Sequence, residues 1–249
     1  MATRRRLDAE LVRRGLVPSR RDAAEAIDAH RVLVNGAVAE KPARLVDVGD
    51  ALLIEGPPPR FVSRGGEKLE HALASFDIDV SGLRVLDAGA STGGFSDCLL
   101  QRGAREVVAL DVGHGQLHPR IREHPQVRVM ERCNVRTVGV ADIGGSVDLV
   151  VADLSFISLL KVIDNLVTLV HPGGSLVLLV KPQFEAGRAE VSRGRGVITD
   201  PAIHDRVRAD VQHCLEAAGT VVSAWTESPV TGADGNREFL VYAVREVIS

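Results

Sequence analysis

From Arg84 onward, short runs of aliphatic and β-branched residues alternate with stretches long enough for a helix, and this rhythm limits the fold more than any other feature. The runs are RVLDAG from Arg84, EVVALDV from Glu106, VRVME from Val127, VDLVVADL from Val147 and SLVLLVKP from Ser175. Helices are expected over about Gly94–Gln101, Leu159–Val170 and Pro201–Ala218, and strands near Val221–Trp225 and Glu238–Val244 complete the series. Alternation of this kind implies an α/β fold with a doubly wound, mostly parallel sheet.

The front of the chain follows another pattern. Leu7, Leu11 and Val12 fall at helical spacing and Gly15 can end that helix. Ser19 is placed to cap a second helix, Ser19–His30, with Ala23, Ala26 and Ile27 on one face. In VLVNG, Asn35-Gly36 signals a hairpin turn, and a strand follows near Ala51–Ile54. Two helices and a few short strands make a small α+β domain. Gly56-Pro57-Pro58-Pro59 then reads as a stiff linker. The expected organisation is a small domain over residues 1–55, a linker over 56–63 and the α/β domain over 64–249.

Charge divides along the same line. The net charge is −3, yet residues 1–64 carry 12 Lys and Arg against 9 Asp and Glu, while the rest carries 18 against 24. A basic front on an acidic body points to an anionic partner for the front. Arg4, Arg5, Arg6, Arg13, Arg14, Arg20 and Arg21 crowd the first two helices, and such side chains neutralise phosphates. Arg64 follows the linker. A second basic candidate is the glycine-rich loop Gly187–Gly196, with Arg188, Arg193 and Arg195, which is expected to be mobile. Aromatic residues make up 3% of the chain, so shape and backbone contacts suit this recognition better than extensive base stacking. Cys98, Cys133 and Cys214 have no metal-binding or disulfide spacing, which fits a reducing cytoplasm and predicts no metal. No apolar run approaches the roughly 18 residues that a membrane span needs, so no membrane partner is expected.

The first sheet strand runs into Leu86-Asp87-Ala88-Gly89-Ala90-Ser91-Thr92-Gly93-Gly94-Phe95. Glycines let such a turn stay tight and let a ligand approach the backbone, and the following helix offers free N–H groups. Asp87 discriminates among ligands. A carboxylate beside the first glycine would repel a pyrophosphate, whereas it suits a cation bearing an amino acid, as S-adenosylmethionine is. Asp111, at the end of the second strand, can accept the two ribose hydroxyls of an adenosine. The expected cofactor set is Asp87, Gly89, Ser91, Thr92, Gly93, Gly94, Phe95, Asp111, Val112, Asn134 and Asp153; Asn134 serves equally well as a turn residue.

Only four residues are lysine, at positions 41, 68, 161 and 181, against 26 arginines. Two of them join two acids at the ends of elements: Lys68 in SRGGEKLEHAL, Asp153 closing VDLVVAD, Lys181 closing SLVLLVK and Glu238 opening EFLVYAV. In an open parallel sheet, ligands bind outside the carboxyl ends of the strands, where Asp153 and Lys181 fall. Neither charge is cheap to bury unpaired, so a pair is expected.

Lys68, Asp153, Lys181 and Glu238 resemble the Lys-Asp-Lys-Glu tetrad of the RNA ribose 2′-O-methyltransferases. RLDAELVRRGLVPSRRDAAEAI, followed by VLVNG and VGD, resembles the RNA-binding domain of ribosomal protein S-four. With SRGGEKLEHAL, LDAGASTGGFSDCLL, DVGHGQL, DLVVADLSFISL and LVKPQFE, essentially the whole chain resembles the TlyA (haemolysin A) family of ribosomal RNA methyltransferases. Phe61 stands where many members carry Trp. The resemblance implies an FtsJ-like, Rossmann-like class I methyltransferase domain that uses S-adenosylmethionine. It implies methyl transfer to a ribose 2′-hydroxyl, of cytidine, in ribosomal RNA of the small or large subunit or both, by a cytoplasmic monomer. Lys181 would then stabilise the attacking oxygen, Lys68 would help hold it, Asp153 would orient Lys181, and Glu238 would hold one of the lysines. Two other classes remain as alternatives: a ribosome-binding factor with an inactive methylase fold, and a haemolysin-like membrane-active protein. A base methyltransferase fits less well, because no cysteine follows a proline and ADLSF stands where amino-group methylases carry N-P-P-Y.

Overall fold

The computed structural model describes residues 4–17, 19–56, 59–194, 196–232 and 234–247; the side chains of Arg21, Arg188, Ala189 and Arg193 lie outside that description. The chain divides into two compact units, residues 1–59 and 60–249.

In the first unit, β1 (Arg5–Arg6) leads into α1 (Leu7–Arg13), and α2 (Arg20–Asp28) follows. The hydroxyl of Ser19 accepts the amide of Asp22, as a cap should. Then come β2 (Val32–Val34), β3 (Ala37–Val38), β4 (Leu45–Val46) and β5 (Leu52–Ile54). Asn35 and Gly36 turn the β2–β3 hairpin at φ 53° and 82°, the left-handed pair a two-residue turn needs. The sheet order is β3-β2-β5, and β1 pairs with β4 apart from it. Leu7, Leu11, Ala23, Ile27, Val32 and Val34 form the core between helices and sheet.

Two buried acids organise the arginines of this unit. Asp8 receives Arg6 and Arg20, and Glu10 receives Arg13 and Arg14. The hydrogen bonds from Arg13 and then Arg14 outweigh burial and hold the Glu10 carboxyl down at about 2.

The second unit carries α3 (Gly65–Ser75), β6 (Arg84–Ala88), α4 (Gly94–Gln101), β7 (Glu106–Leu110), α5 (Pro119–Arg122), β8 (Val127–Met130) and β9 (Val147–Ala152). A 3₁₀ turn at Leu159–Lys161 precedes α6 (Ile163–Leu169), β10 (Val170–Val180), α7 (Pro182–Glu185), α8 (Arg188–Arg193), α9 (Pro201–Ala217), β11 (Thr220–Glu227) and β12 (Phe239–Arg245). The strands form one seven-stranded sheet in the order β11-β12-β10-β9-β6-β7-β8, with β12 antiparallel to both neighbours and the other pairs parallel. Alternate residues feed opposite cores. Leu86, Val108, Val150 and Leu178 pack beneath α6 and α9, while Val85, Val107, Val151 and Leu179 pack beneath α3 and α4. The sheet is therefore covered on both faces, as the alternation requires.

Three expectations need correction. The helix expected over Leu159–Val170 is broken: Val162, at φ −130°, separates the 3₁₀ turn from α6. Strand β10 starts at Val170, earlier than SLVLLVKP suggested, because Gly173 and Gly174 absorb a bulge inside it; a side chain at Gly174 would meet the Asp148 carbonyl. The segment expected as a loop over Gly187–Gly196 contains helix α8, where Glu190 accepts the Gly187 amide and clasps Arg206. Among the described residues no helix is long and apolar enough to cross a membrane.

Helix α3 sits close because Gly66 leaves room for a neighbouring ring: a methyl group there would fall inside Phe61. Gly66→Ala gains about 1 kcal/mol of helix propensity but overpacks this contact, which costs about 1–3 kcal/mol. A net loss of stability, read as a lower urea midpoint, is expected.

Candidate active site

Parallel strands deliver their carboxyl ends to one edge, and the turns after β6, β7 and β9 meet there. After β6 the chain turns at Gly89, with φ 85°, where a side chain would strike the Asp153 carbonyl. Gly93 adopts φ 94° and opens α4. The Gly89 and Ala90 amides both donate to the Leu110 carbonyl, which locks the turn to β7. Ser91 is held at φ 47° without a glycine's freedom. Thr92 gives its carbonyl to the His118 amide. Phe95 is buried in the core with α3.

Three carboxylates gather at these strand ends. Asp87 is fully buried; Ser96 Oγ donates to its Oδ2 at 2.6 Å, and its Oδ1 has no hydrogen-bond partner among the described residues. Burial pushes the Asp87 carboxyl up to about 7; the Ser96 hydrogen bond opposes this, and the charges of Asp153 and Asp111 reinforce it. Asp111 accepts the amides of Ser91 and Gly113 at 2.7 and 2.6 Å. A small cleft opens beside it, lined by Ala90, Ser91, Gly113, Gln116 and Leu117. Val112 is exposed. Asn134 Oδ1 accepts the Arg136 amide, so the structure uses this side chain in a turn. An orphaned buried carboxylate oxygen, a glycine turn without side chains and a cluster of acids fit a cationic ligand with an adenosyl group. Asp87 and Asp111 would hold its cationic and sugar parts.

The four residues of the expected tetrad form two ion pairs. Lys68 Nζ on α3 meets Glu238 Oε2 at 2.5 Å, and both are buried. Lys181 Nζ lies 2.5 Å from Asp153 Oδ1 and donates to Ser155 Oγ at 2.8 Å. The Asp153 contact is an ion pair without hydrogen-bond alignment, since that oxygen makes no directed hydrogen bond. Val180 of β10 pairs with Phe239 of β12. Lys181 follows the one and Glu238 precedes the other, so the two ion pairs leave neighbouring strands side by side. An ammonium carries three donors. With Asp153 and Ser155 engaged, Lys181 keeps donor capacity for a substrate oxygen.

Three further residues shape this edge and were not among the expected site residues. Ser155 is the hydrogen-bond partner of Lys181. Phe156 is 93% exposed at φ 66° and lies 5.5 Å from Phe184, ring centre to ring centre. Glu185 accepts the Ser158 hydroxyl at 2.5 Å and the Leu159 amide at 2.8 Å, which ties the turn after Lys181 to the loop after Asp153. A phenylalanine four positions beyond the end of an apolar strand was the available signal for Phe156.

The arginines divide. Arg64 is exposed just ahead of α3, four residues before Lys68. Arg5 is exposed, and Arg4 reaches Asp47 at 3.4 Å. Arg14 is committed inward, donating to the carbonyls of Asp47, Val48 and Asp50. Arg6, Arg13 and Arg20 remain about half exposed beyond their contacts with Asp8 and Glu10. Arg195 lies outside the described residues, as do the side chains of Arg21 and Arg193.

Comparison with known proteins identifies the two domains. The profile of the FtsJ-like methyltransferases matches residues 61–245, and that of the S4 domain matches residues 5–52. The chain is 49% identical to the 16S/23S rRNA (cytidine-2′-O)-methyltransferase TlyA of Mycobacterium tuberculosis, over 97% of this chain and 90% of that protein. It is 36% identical to Hemolysin A of Brachyspira hyodysenteriae, over 96% and 99%. A Streptococcus thermophilus protein whose solved structure carries a hemolysin label superposes with a TM-score of 0.78 at 38% identity, covering 99% of this chain and 90% of that one.

The ionised form of Asp87 is the one that accepts a cation, so ligand binding is linked to loss of its proton. Affinity for S-adenosylmethionine is expected to rise up to about tenfold per pH unit below about pH 7 and to level off above it. Asp87→Asn should flatten the profile. Calorimetric titration across that range reads both, and a flat wild-type profile contradicts the role given to Asp87.

Proposed function

The chain belongs to the TlyA (haemolysin A) family of FtsJ-like methyltransferases with an S4 domain, and from that premise we propose that it methylates a ribose 2′-hydroxyl, of cytidine, in ribosomal RNA. The methyl donor is S-adenosylmethionine. The observation that carries the reading is the pair of lysine–carboxylate contacts standing abreast at the edge where the glycine turn opens.

Bound S-adenosylmethionine supplies a methyl group on a sulfonium and departs as a neutral thioether, which needs no acid. The protein's task is therefore to place and stabilise the sugar oxygen. Lys181 donates to that oxygen and stabilises the negative charge it gathers as the O–CH3 bond forms, the CH3–S bond breaks and the hydroxyl proton passes to solvent. Asp153 and Ser155 fix the ammonium from the other side. Lys68, held by Glu238, adds a second positive charge at the same edge and helps seat the hydroxyl. The exposed ring of Phe156 offers a face for a base of the RNA strand. Arg5, Arg20 and Arg64 supply phosphate contacts, with the S4 domain as the main RNA-binding part. Both ribosomal subunits are candidate substrates, and the enzyme works as a cytoplasmic monomer.

Lys181→Ala is expected to lower methyl transfer from S-adenosylmethionine to ribosomal RNA by about 10²–10³-fold, the scale of losing one preorganised donor to the reacting oxygen. Donor affinity should change far less. Radiolabel transfer and calorimetry separate the two, and retained activity rejects the assignment. Ribosomal RNA binding should also weaken steeply with added salt, with charge reversal at Arg5 reducing the slope of log affinity against log salt by about 0.7–0.9. Filter binding over a salt series measures this.

A further inference from the structure

A cleft of about 230 Å³ lies where α9, β11 and β12 meet, lined among others by His204, Asp205, Arg208, Trp225, Glu227 and Arg237. Its place in the sheet matters first. Strand β11 runs parallel to β10, because β12 is antiparallel to both. Glu227 at the end of β11 pairs with Phe239, which pairs in turn with Val180 on β10. The cleft therefore opens at the edge where Lys181 leaves the sheet, two strands over, and Phe239 on its wall directly follows Glu238.

The charges in the cleft are unequally satisfied. Arg237 and Glu227 neutralise each other through a two-pronged ion pair. His204 uses Nε2 on the Ile198 carbonyl and meets Phe239 edge-on. Arg208 differs. Its guanidinium lies 5.2 Å from the Trp225 ring centre and 5.5 Å from that of Phe239, so two aromatic rings hold the cation. Rings accept no hydrogen bonds in the guanidinium plane. Nε is buried without a partner among the described residues, and the contact from the terminal nitrogen to Asp205 is long, at 4.0 Å, with Asp205 78% exposed. The result is a fixed, partly desolvated guanidinium whose Nε is sealed off and whose terminal nitrogens remain open toward the cleft, with Asp205 as a distant partner. Such a fork matches the oxygens of a phosphate.

We propose that this cleft is a phosphate subsite, in which Arg208 holds one backbone phosphate of the RNA strand close to the methylated ribose. The proposal rests on the RNA methyltransferase reading and deepens it. An RNA strand that places a ribose at Lys181 and runs along this edge toward β11 passes the cleft. Asp205 and Glu227 would repel a run of phosphates, so the subsite takes one and sets the register of the strand.

Trp225 is the only tryptophan of the chain and touches Arg208, so its fluorescence reports on this cleft. The full-length protein is titrated separately with a ribosomal RNA fragment and with inorganic phosphate, and rRNA methylation kinetics are run alongside. RNA should shift Trp225 emission, and Arg208→Met should remove the shift. The variant should raise KM for rRNA by about tenfold and reduce the salt slope by about 0.7–0.9. Arg208→Lys should recover part of both, and S-adenosylmethionine affinity shows that each variant is folded. Emission indifferent to RNA, or Arg208→Met with wild-type KM and salt slope, overturns the proposal. So does a response to inorganic phosphate with none to RNA, which marks a small-anion site. Failure of the methyltransferase reading would look different, as absent methyl transfer by the wild-type protein whatever Trp225 does.

Discussion

The antiparallel pairing of β12 against β10 is the constraint on which the site depends. In a wholly parallel sheet, the segment before a strand lies at the opposite edge from the segment after its neighbour. Reversing β12 brings Glu238, which precedes it, level with Lys181, which follows β10. Glu238 is buried and Lys68 stands over it, so the cost of desolvating either charge is met by the other. The same reversal makes β11 parallel to β10 and carries a further wall of the edge, through Trp225 and Glu227, to the same side. The parallel strands β9 and β10 supply the Lys181–Asp153 pair, and the reversed β12 sets the Lys68–Glu238 pair and the arginine cleft beside it.

Asp87 shows what the fold accepts for the sake of a ligand. A carboxyl with no exposure and one unpaired oxygen is an unfavourable thing to bury. Two neighbouring acids, Asp111 and Asp153, make its ionisation harder still. A structure optimised for stability would replace this group with something apolar. A cationic ligand reverses the balance, because the acids that repel one another each gain from it. Lys181 offsets part of the charge of Asp153.

The sheet was legible because its residues obey a short period and are buried on two faces; Leu86 and Val85 already announce the two cores. The glycine turn was legible because Gly89 and Gly93 need positive φ, and no other residue type serves as easily. Asp153, Lys181 and Glu238 were legible as costly charges at the ends of apolar strands, whereas Lys68 lies within α3 and was singled out by the scarcity of lysine and the family resemblance. What escaped depends on contacts between loops far apart in sequence. Nothing local says that Glu185 will grip Ser158, or that Ser155 will share Lys181. Arg14 looked like its neighbours Arg6 and Arg13, yet three carbonyls of a distant turn claim it. The α8 helix was hidden by glycines, whose conformational freedom is overruled by Glu190 acting as a local cap and as the partner of Arg206.

Why lysine stands at positions 68 and 181, in a chain that otherwise prefers arginine, follows from geometry. Guanidinium presents its donors in one plane and tends to spend two on a single carboxylate, as Arg237 does on Glu227. At position 181 such a fork would satisfy Asp153 and turn the remaining donors along its own plane. An ammonium is compact and its donors point in tetrahedral directions, so it can lean on Asp153, donate to Ser155 and still present a proton to a third oxygen. Arg208 takes the complementary task, where a flat cation between two rings suits a ligand with several oxygens. Under the proposed function, the choice between the two cations follows what each would face: one reacting oxygen at position 181, and a phosphate at position 208.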